Sequence, residues 1–356
     1  MHSIRVRACF SASLLVTLPL LVAAPVAGER DRYQLSAIES LHPDGSAFAE
    51  GINDSRQVVG FSTEASGGDY RAFIWDRRSG ARPVLPDHPG LSVANSISDS
   101  GYVAGWFSSG SATEGFVARG AMVVKVGMLP GGSHSEALDV NDSGHAVGYS
   151  LVGRDENGDR LEDEHAFLYR DGVLTDLGTL GGHSSRALAL NDDGVVVGAA
   201  STPDEKTHAF VWKDGVMRDL GVLPGGSHSV AQDINAEGVI VGSAGTGEWA
   251  VPVRLVRWRY PRDTAPKPLE KARDFGVEAA VNDRGVIAYT ISSFEGPISP
   301  RLWSRGRTKS VRRLAVRHLR GRRPFLTEVS GINGRGDLTV NGSQGGRAVA
   351  LAMLRR

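Results

Sequence analysis

Three histidines recur in glycine-rich segments and could take part in metal or ligand chemistry. His134 and His228 stand in two copies of the stretch "GGSHS", and His183 stands in the related "GGHSS". Three convergent imidazoles can bind zinc or copper. His183 lies one place earlier than the other two relative to the asparagine that follows each segment. Two interpretations stay open: a ligand-binding role, and a loop role in which each histidine bonds to its neighbours.

An acidic stretch, "GRDENGDRLEDEH", lies between two of these histidines. Oxygen-bearing side chains stand at alternating positions in it: Asp155, Asn157, Asp159 and Asp163. Alternating hard oxygen ligands suit calcium, and the Leu161 carbonyl would continue the series. Arg160 stands where such a turn usually needs glycine, and Ala166 stands where a glutamate is expected. The stretch predicts a calcium site, with a solvated acidic loop as the alternative.

Sequence motifs of known enzyme classes are absent. There is no Gly-x-Ser-x-Gly, no His-Glu-x-x-His and no repeated catalytic carboxylate. Glu136, Arg186 and Glu278 are charged residues that we expect close to a central channel, as described below. We predict Glu136 and Arg186 as ligand contacts, and no catalytic residue is assigned.

One segment, 304–325, concentrates positive charge. Its basic residues are Arg305, Arg307, Lys309, Arg312, Arg313, Arg317, Arg320, Arg322 and Arg323. Such a block could bind an anionic envelope polymer. The alternative is a solvated outer edge of a sheet, which arginine protects from aggregation.

Composition and the N-terminus indicate export. The 356 residues carry a formal net charge of zero, so no global field favours nucleic acid. Residues 1–27 combine Arg5 and Arg7 with an apolar run too short for a membrane span, which predicts a signal peptide. The single cysteine, Cys9, lies inside it. The mature chain, 28–356, would then have no disulfide and no thiol chemistry, and we expect it in the periplasm or secreted.

The candidate histidines and the charged residues near the channel belong to a repeated sequence unit, whose fold must position them. The pattern Ala-x-x-Ile-Asn-x-x-Gly-x-Val-Val-Gly occurs seven times, with a period of about 47 residues. Its asparagine position is occupied by Asn53, Ser98, Asn141, Asn191, Asn235, Asn282 and Asn333. Each copy predicts four short strands joined by tight turns such as "NDDG" and "KDG".

Four antiparallel strands in each of seven repeats predict an all-β, seven-bladed β-propeller in a single domain. The segment 32–38 resembles a fourth strand, whereas the last repeat ends after a third strand at 347–354. We therefore expect the N-terminal strand to join the last blade and close the ring. Trp75, Trp212 and Trp258 should pack between blades.

The repeat units resemble the HAF-repeat family of extracellular bacterial proteins. The resemblance rests on "HAF", "DG", "DLG", "GG" and "IN", and it is closest over 135–245. It implies export and repeated β structure. It carries over no catalytic residue, because the shared residues occupy turn and core positions. His165 and His208, which begin two third strands, are expected to make strand-edge hydrogen bonds.

The first strand of each propeller blade lines the central channel. The "GGSHS" segments and the second-to-third connections share one side, here called the loop face, and the tight turns share the other, the turn face. Functional residues favour the side with longer loops. We predict a monomeric module that binds a glycan, an envelope polymer or a protein partner, and not nucleic acid. The alternative is a polysaccharide hydrolase or lyase with its site at the channel mouth.

Overall fold

Seven four-stranded antiparallel sheets make up the described part of this computed structural model, which covers residues 33–355 apart from 67, 89, 111, 154–162, 248–251, 270–275, 293–297 and 315–323. The seven-bladed, all-β propeller predicted from the sequence is confirmed. The predicted signal peptide lies outside the described residues.

The strands of the first three blades follow one another in chain order. The first strand of the described residues is β1 (Tyr33–Ile38). Blade one contains β2 (Ser46–Ile52), β3 (Val58–Thr63), β4 (Tyr70–Asp76) and β5 (Gly80–Pro83). Blade two contains β6 (Ser92–Ile97), β7 (Val103–Ser109), β8 (Ala112–Arg119) and β9 (Met122–Gly127). Blade three contains β10 (Ser135–Val140), β11 (Ala146–Leu151), β12 (Glu164–Arg170) and β13 (Val173–Asp176).

The remaining blades follow the same plan. Blade four contains β14 (Ser185–Leu190), β15 (Val196–Ser201), β16 (Thr207–Lys213) and β17 (Val216–Asp219). Blade five contains β18 (Ser229–Ile234), β19 (Val239–Gly245), β20 (Val253–Arg259) and β21 (Lys267–Pro268). Blade six contains β22 (Gly276–Val281), β23 (Ile287–Ser292), β24 (Ser299–Ser304) and β25 (Arg307–Ser310). Blade seven contains β26 (Phe325–Ile332), β27 (Leu338–Gln344) and β28 (Arg347–Arg355).

The fourth strand of blade seven is β1. The strand order in this sheet is β26-β27-β28-β1. β1 pairs antiparallel with β28, from Tyr33 opposite Arg355 to Ile38 opposite Ala350. A strand from the N-terminal side thus pairs along the outer edge of the last blade.

A bulge in the first strand explains the repeated glycine of the second strand. In blade three the pairing of β10 with β11 shifts between Ala137 and Asp139. A Cβ added to Gly148 would stand 1.8 Å from the carbonyl oxygen of Glu136, so no larger residue fits there. In blade six the pairing of β22 with β23 is regular, and Tyr289 replaces the glycine.

Large aromatic side chains pack between neighbouring blades, as the repeat predicted. Trp75 is buried in one cluster with Ala350 of blade seven. Trp212 is buried with Val147 of blade three, and Trp258 is fully buried between blades four and five. Burying a large apolar side chain stabilises a fold by about 2–3 kcal/mol, so these contacts fasten each blade to the next.

The "HAF" and "DLG" elements of the repeat form one hydrogen-bonded pair. His165 Nδ1 lies 2.8 Å from Asp176 Oδ2, across β12 and β13. His208 and Asp219 repeat this contact at 2.7 Å in blade four. The hydrogen bond with Asp176 raises the pKa of His165 above its usual value. Both histidines therefore have the strand-edge role that the sequence predicted.

The serine that begins each of several first strands ties it to the preceding blade. Ser185 Oγ accepts a hydrogen bond from the Ala166 amide at 2.8 Å and donates one to the Gly178 carbonyl at 2.6 Å. Ser229 does the same in the next blade with Ala209 and Gly221. The final serine of the "GGHSS" and "GGSHS" segments therefore has a structural role.

The basic segment 304–325 is only partly described. It includes β25 and α1 (Val311–Leu314), which is the only helix among the described residues. No helix in the described ranges is long and apolar enough to cross a membrane. The arginines at 317, 320, 322 and 323 lie outside those ranges.

Candidate functional site

One position of the first strand differs from blade to blade although its surroundings repeat. It precedes the small or apolar residue that packs between blades, and it pairs with the second strand just after the repeated glycine position. Glu136, for example, pairs with Tyr149, and Arg186 pairs with Ala199. The set, here called the mouth residues, is Phe48, Val93, Glu136, Arg186, Val230, Glu278 and Glu328. All seven lie in the half of the first strand nearer the loop face.

Blades six, seven and one contribute an acidic cluster to this mouth. Glu278 and Glu328 line a cavity of about 260 Å³. Partial burial of its carboxyl group, together with a hydrogen bond and the charge of Glu328, raises the pKa of Glu278 to about 7. Burial, then the charges of Glu328 and Glu278, raise the pKa of Glu50 to about 8. The carboxyl groups of Glu50 and Glu278 can therefore exchange protons, and donate hydrogen bonds, near neutral pH.

Buried amide and hydroxyl groups hold the acidic cluster in place. Asn341 Nδ2 donates to Glu328 Oε2 at 3.4 Å and to the Ala49 carbonyl at 3.0 Å. Asn341 Oδ1 accepts the Ala49 amide at 2.9 Å, so one side chain joins blade seven to blade one. Thr290 Oγ1 accepts the Val329 amide at 3.0 Å and joins blade six to blade seven.

Blades three and four form a second cluster at the same level of the mouth. His134 Nε2 lies 3.1 Å from Glu136 Oε1 and 3.4 Å from the Tyr149 hydroxyl. The Arg186 guanidinium stacks 4.4 Å above the centre of the Tyr149 ring. Arg186 also forms a bidentate ion pair with Glu164, on the third strand of blade three.

The electrostatics of this cluster keep Tyr149 neutral. Burial and the nearby charge of Glu136 raise the pKa of Tyr149, while Arg186 opposes that shift. The hydrogen bond with Glu164 raises the pKa of Arg186 further above its usual value. Tyr149 thus remains a hydroxyl at physiological pH, which suits hydrogen bonding and does not suit proton abstraction.

Aromatic faces complete the mouth on blades one and two. Phe48 and Phe61 stack with ring centres 4.9 Å apart, and Tyr70 meets Phe61 edge-on at 5.6 Å. All three, and Trp106 in blade two, are partly exposed. The mouth thus offers apolar rings on one side, and carboxylates, an arginine and an imidazole elsewhere around it.

The structure places the predicted site residues in different surroundings. His134, Glu136 and Arg186 come together with Tyr149, as described. His183 is 73% exposed, and its Nε2 lies 3.6 Å from Glu205. His228 lies against Gly245. Among the described residues, the one group of three metal-ligating side chains with donor atoms within 4.8 Å contains none of these histidines.

The predicted calcium ligands fall mostly outside the described residues. Asp155, Asn157 and Asp159 belong to 154–162, which the structure does not describe. Asp163 is described, and its carbonyl accepts the Val152 amide at 3.0 Å. The calcium site stays a prediction.

Two channel aspartates on the turn face were missed by sequence reasoning. Asp139 and Asp233 line an opening of about 230 Å³ to which all seven blades contribute. Burial raises their pKa values to about 6 and about 7, although amide or hydroxyl donors to each carboxylate act in the opposite direction. A signal existed: the residue two places before the repeated asparagine is small in the other five copies.

Comparison with known protein families finds a match to part of the chain. A family model described as "Protein of unknown function (DUF3466)" matches residues 132–251, which include β10 to β19. No curated protein matches the chain.

Several solved structures are similar in fold. The β-propeller domain of the trilobed protease from Pyrococcus furiosus is 14% identical with a TM-score of 0.58, over 88% of this chain and 97% of that domain. The acylaminoacyl peptidase of Pyrococcus horikoshii is 15% identical with a TM-score of 0.56, over 88% of this chain and 52% of the peptidase. A puromycin-hydrolyzing peptidase of Mycobacterium tuberculosis is 13% identical with a TM-score of 0.55, over 92% and 54%. The chain spans about half the length of these two peptidases, and the likeness shows the propeller fold alone.

Proposed function

We propose that the chain is an exported binding module that takes a segment of a glycan at the loop-face mouth. The observation that carries the proposal is the set of mouth residues. A position repeated by the fold holds phenylalanine, valine, glutamate or arginine in different blades, whereas the residues around it repeat. The requirements of the fold alone do not explain why the side chain varies at this position. A ligand that contacts different blades differently does explain it.

The chemistry of the mouth matches that of a sugar ring. A pyranose presents C–H groups on its faces and hydroxyl groups around its edge. The partly exposed rings of Phe48, Phe61 and Trp106 can cover the C–H faces. Glu328 and Arg186 can bond to hydroxyl groups, and Arg186 could also meet a sugar carboxylate.

A polysaccharide hydrolase or lyase is the second candidate, favoured by the meeting of His134, Glu136 and Arg186 at the mouth. Two features weigh against it. Glu278 and Glu328 are within hydrogen-bond reach of each other, whereas the carboxyl pairs of glycosidases stand about 5 Å or more apart. Tyr149 has a raised pKa, which disfavours it as the base of an elimination.

The test is binding of the purified chain to immobilised glycans and envelope polysaccharides. For any glycan retained, Arg186→Ala and Trp106→Ala should weaken binding about tenfold or more, equivalent to about 1.4 kcal/mol. Arg284→Ala is the matched control, because Arg284 is exposed on the turn face. Equal loss in the control, or no loss in the mouth variants, would reject the mouth as the site.

The same experiment separates binding from catalysis. Retained glycans are incubated with the chain and analysed for new reducing ends and for unsaturated sugar products. Cleavage that disappears in Glu328→Gln or Tyr149→Phe would establish the enzyme and overturn the proposal. A bound glycan that remains intact supports a binding module. Retention of lipopolysaccharide that depends on Arg312 or Arg313, rather than on mouth residues, would move the site to the basic segment.

A further inference from the structure

We propose that His42, Glu64 and Asp69 form a binding site for a divalent transition metal at the loop face of blade one. One donor atom from each of the three lies within 4.8 Å of the donors of the others. Among the described residues, no other three metal-ligating side chains are grouped in this way. The site shares no residue with the mouth residues and does not depend on the proposed glycan function.

The fold brings the three side chains together from two connections. His42 lies in the connection from β1 to β2, and Glu64 and Asp69 lie directly after β3 and directly before β4. Glu64 and Asp69 face each other at the base of their loop, where the Glu64 amide donates to the Asp69 carbonyl at 3.4 Å. Because blade seven ends with β1, this site lies where blades seven and one join.

Local hydrogen bonds anchor the His42 connection. The His42 amide donates to Ser40 Oγ at 3.1 Å, and the His42 carbonyl accepts the Gly45 amide at 3.1 Å. The Leu41 amide donates to Ser62 Oγ on β3 at 3.3 Å. The backbone of the His42 connection is therefore anchored beside β3 before any ligand binds.

An unsatisfied imidazole nitrogen is the second observation that points to a ligand. His42 Nε2 is buried and has no hydrogen-bond partner among the described residues. Leaving a buried polar atom unpaired costs about 1–3 kcal/mol. A metal ion bound to this nitrogen would remove that cost.

Both carboxylates keep an oxygen available for the ion. Asp69 Oδ2 accepts Arg71 Nε at 3.1 Å, and Glu64 Oε2 accepts the Ser66 hydroxyl at 3.3 Å. Within the part of the chain that the structure describes, the other oxygen of each carboxylate accepts no hydrogen bond. Arg71 also donates to the His88 carbonyl at 2.7 Å, so it fixes the Asp69 carboxylate as outer-shell partners of metal sites do.

The donor set selects the kind of metal. One imidazole nitrogen with two carboxylate oxygens suits zinc, manganese, nickel or copper, whereas calcium and magnesium prefer oxygen alone. Tetrahedral zinc with bonds of about 2 Å needs donors about 3.3 Å apart, so side-chain movements of about 1 Å complete the site. Three protein ligands leave at least one coordination position open to water or to a ligand.

The test is calorimetric titration of the untagged full chain with zinc, and in parallel with manganese and calcium. We expect one zinc ion per chain at this site, with affinity falling about tenfold or more in His42→Gln and in Asp69→Asn. His183→Gln is the matched control, because His183 is exposed and lies near one carboxylate only.

Each outcome decides the proposal. Zinc affinity unchanged in both His42→Gln and Asp69→Asn, with circular dichroism showing folded chains, overturns it. So does the absence of zinc or manganese binding at about millimolar metal.

Discussion

Asn333 Nδ2 donates to the carbonyl oxygen of Asn53 at 2.9 Å, joining the last blade to the first. The same bond recurs between neighbouring blades, for instance from Asn235 to Asn282 at 2.9 Å. Each of these asparagines also caps its own turn, as when Asn235 Oδ1 accepts the Val239 amide at 2.9 Å. The repeated asparagine is therefore one side chain with two structural functions: it closes a turn and it fastens a blade to the next.

Removing this bond where blade seven meets blade one should destabilise the whole propeller. Asn333 is buried, so Asn333→Ala would leave the Asp337 amide without its acceptor. The Asn53 carbonyl would lose one of its two donors and keep the Arg56 amide. We expect a loss of about 2–4 kcal/mol in the free energy of unfolding. Chemical denaturation measures it. A loss no larger than that of Ser55→Ala, on the exposed part of the Asn53 turn, would show that the bond contributes little.

Ser98 offers the opposite test, because among the seven copies it alone replaces the repeated asparagine and so lacks a side-chain amide. It accepts the Tyr102 amide at 3.2 Å but is too short to repeat the interblade bond. Ser98→Asn should add a hydrogen bond to the Asn141 carbonyl and raise stability by about 1 kcal/mol. A melting temperature that falls instead would mean that the site lacks room for the larger side chain. Ser55→Asn, on the exposed turn of blade one, is the control.

Arg56 explains why one repeat departs from glycine at its turn. Its backbone is left-handed, with φ of 63°, where the other copies have glycine. Its guanidinium pairs with Asp337, whose side chain is fully buried, at 2.9 Å, and donates to the Arg355 carbonyl at 3.0 Å. The ion pair links blade one to blade seven and offsets the strained turn.

Arg56→Met should therefore destabilise the chain although it removes only a surface arginine. It leaves the buried Asp337 carboxylate without its cation, for a loss of about 1–3 kcal/mol in the free energy of unfolding. The double variant Arg56→Met with Asp337→Asn should recover part of that loss. Denaturant titrations of the two variants decide it: an additive result would show that the two residues are not coupled.

The propeller scaffold could be predicted from the sequence because each repeat places residues with the same structural roles at the same positions. The strand-edge role of His165 followed from its place at the start of a third strand, whereas its partner Asp176 and the bulge opposite Gly148 were seen only in the structure. The repeated motif recurs at a regular spacing, so its seven copies support one prediction of the blade. The aromatic packing at Trp258 was predictable for the same reason.

The candidate site was only partly predictable, because it depends on how different blades meet. Glu136 and Arg186 could be placed near the channel from their repeat position. Their common partner, Tyr149, lies on a second strand, and the stack of Arg186 on its ring exists only after blade four packs on blade three. Glu50 is the bulged residue of its strand, whose orientation no alternation rule predicts.

Stability should fall as the pH rises, because several channel acids have raised pKa values in the folded chain. For Glu50, Asp233 and Glu278 these are about 8, about 7 and about 7. An unfolded acid has lost its proton by about pH 5, whereas the folded acid still holds it. The folded chain thus binds more protons between about pH 4 and about pH 8, and unfolding becomes easier across that window. His165, with its raised pKa, adds to the same trend, since its favourable contact is lost as the pH rises through that value. We expect a melting temperature several degrees lower at about pH 8.5 than at about pH 5.5, measured by calorimetry at constant ionic strength. Glu50→Gln removes one of these acids and should flatten the dependence of melting temperature on pH at its alkaline end, whereas Glu237→Gln, on an exposed turn, should leave it unchanged.

A melting temperature that rises between pH 5.5 and 8.5 would contradict the raised pKa values and, with them, the protonated state of Glu50 and Glu278 in the acidic cluster.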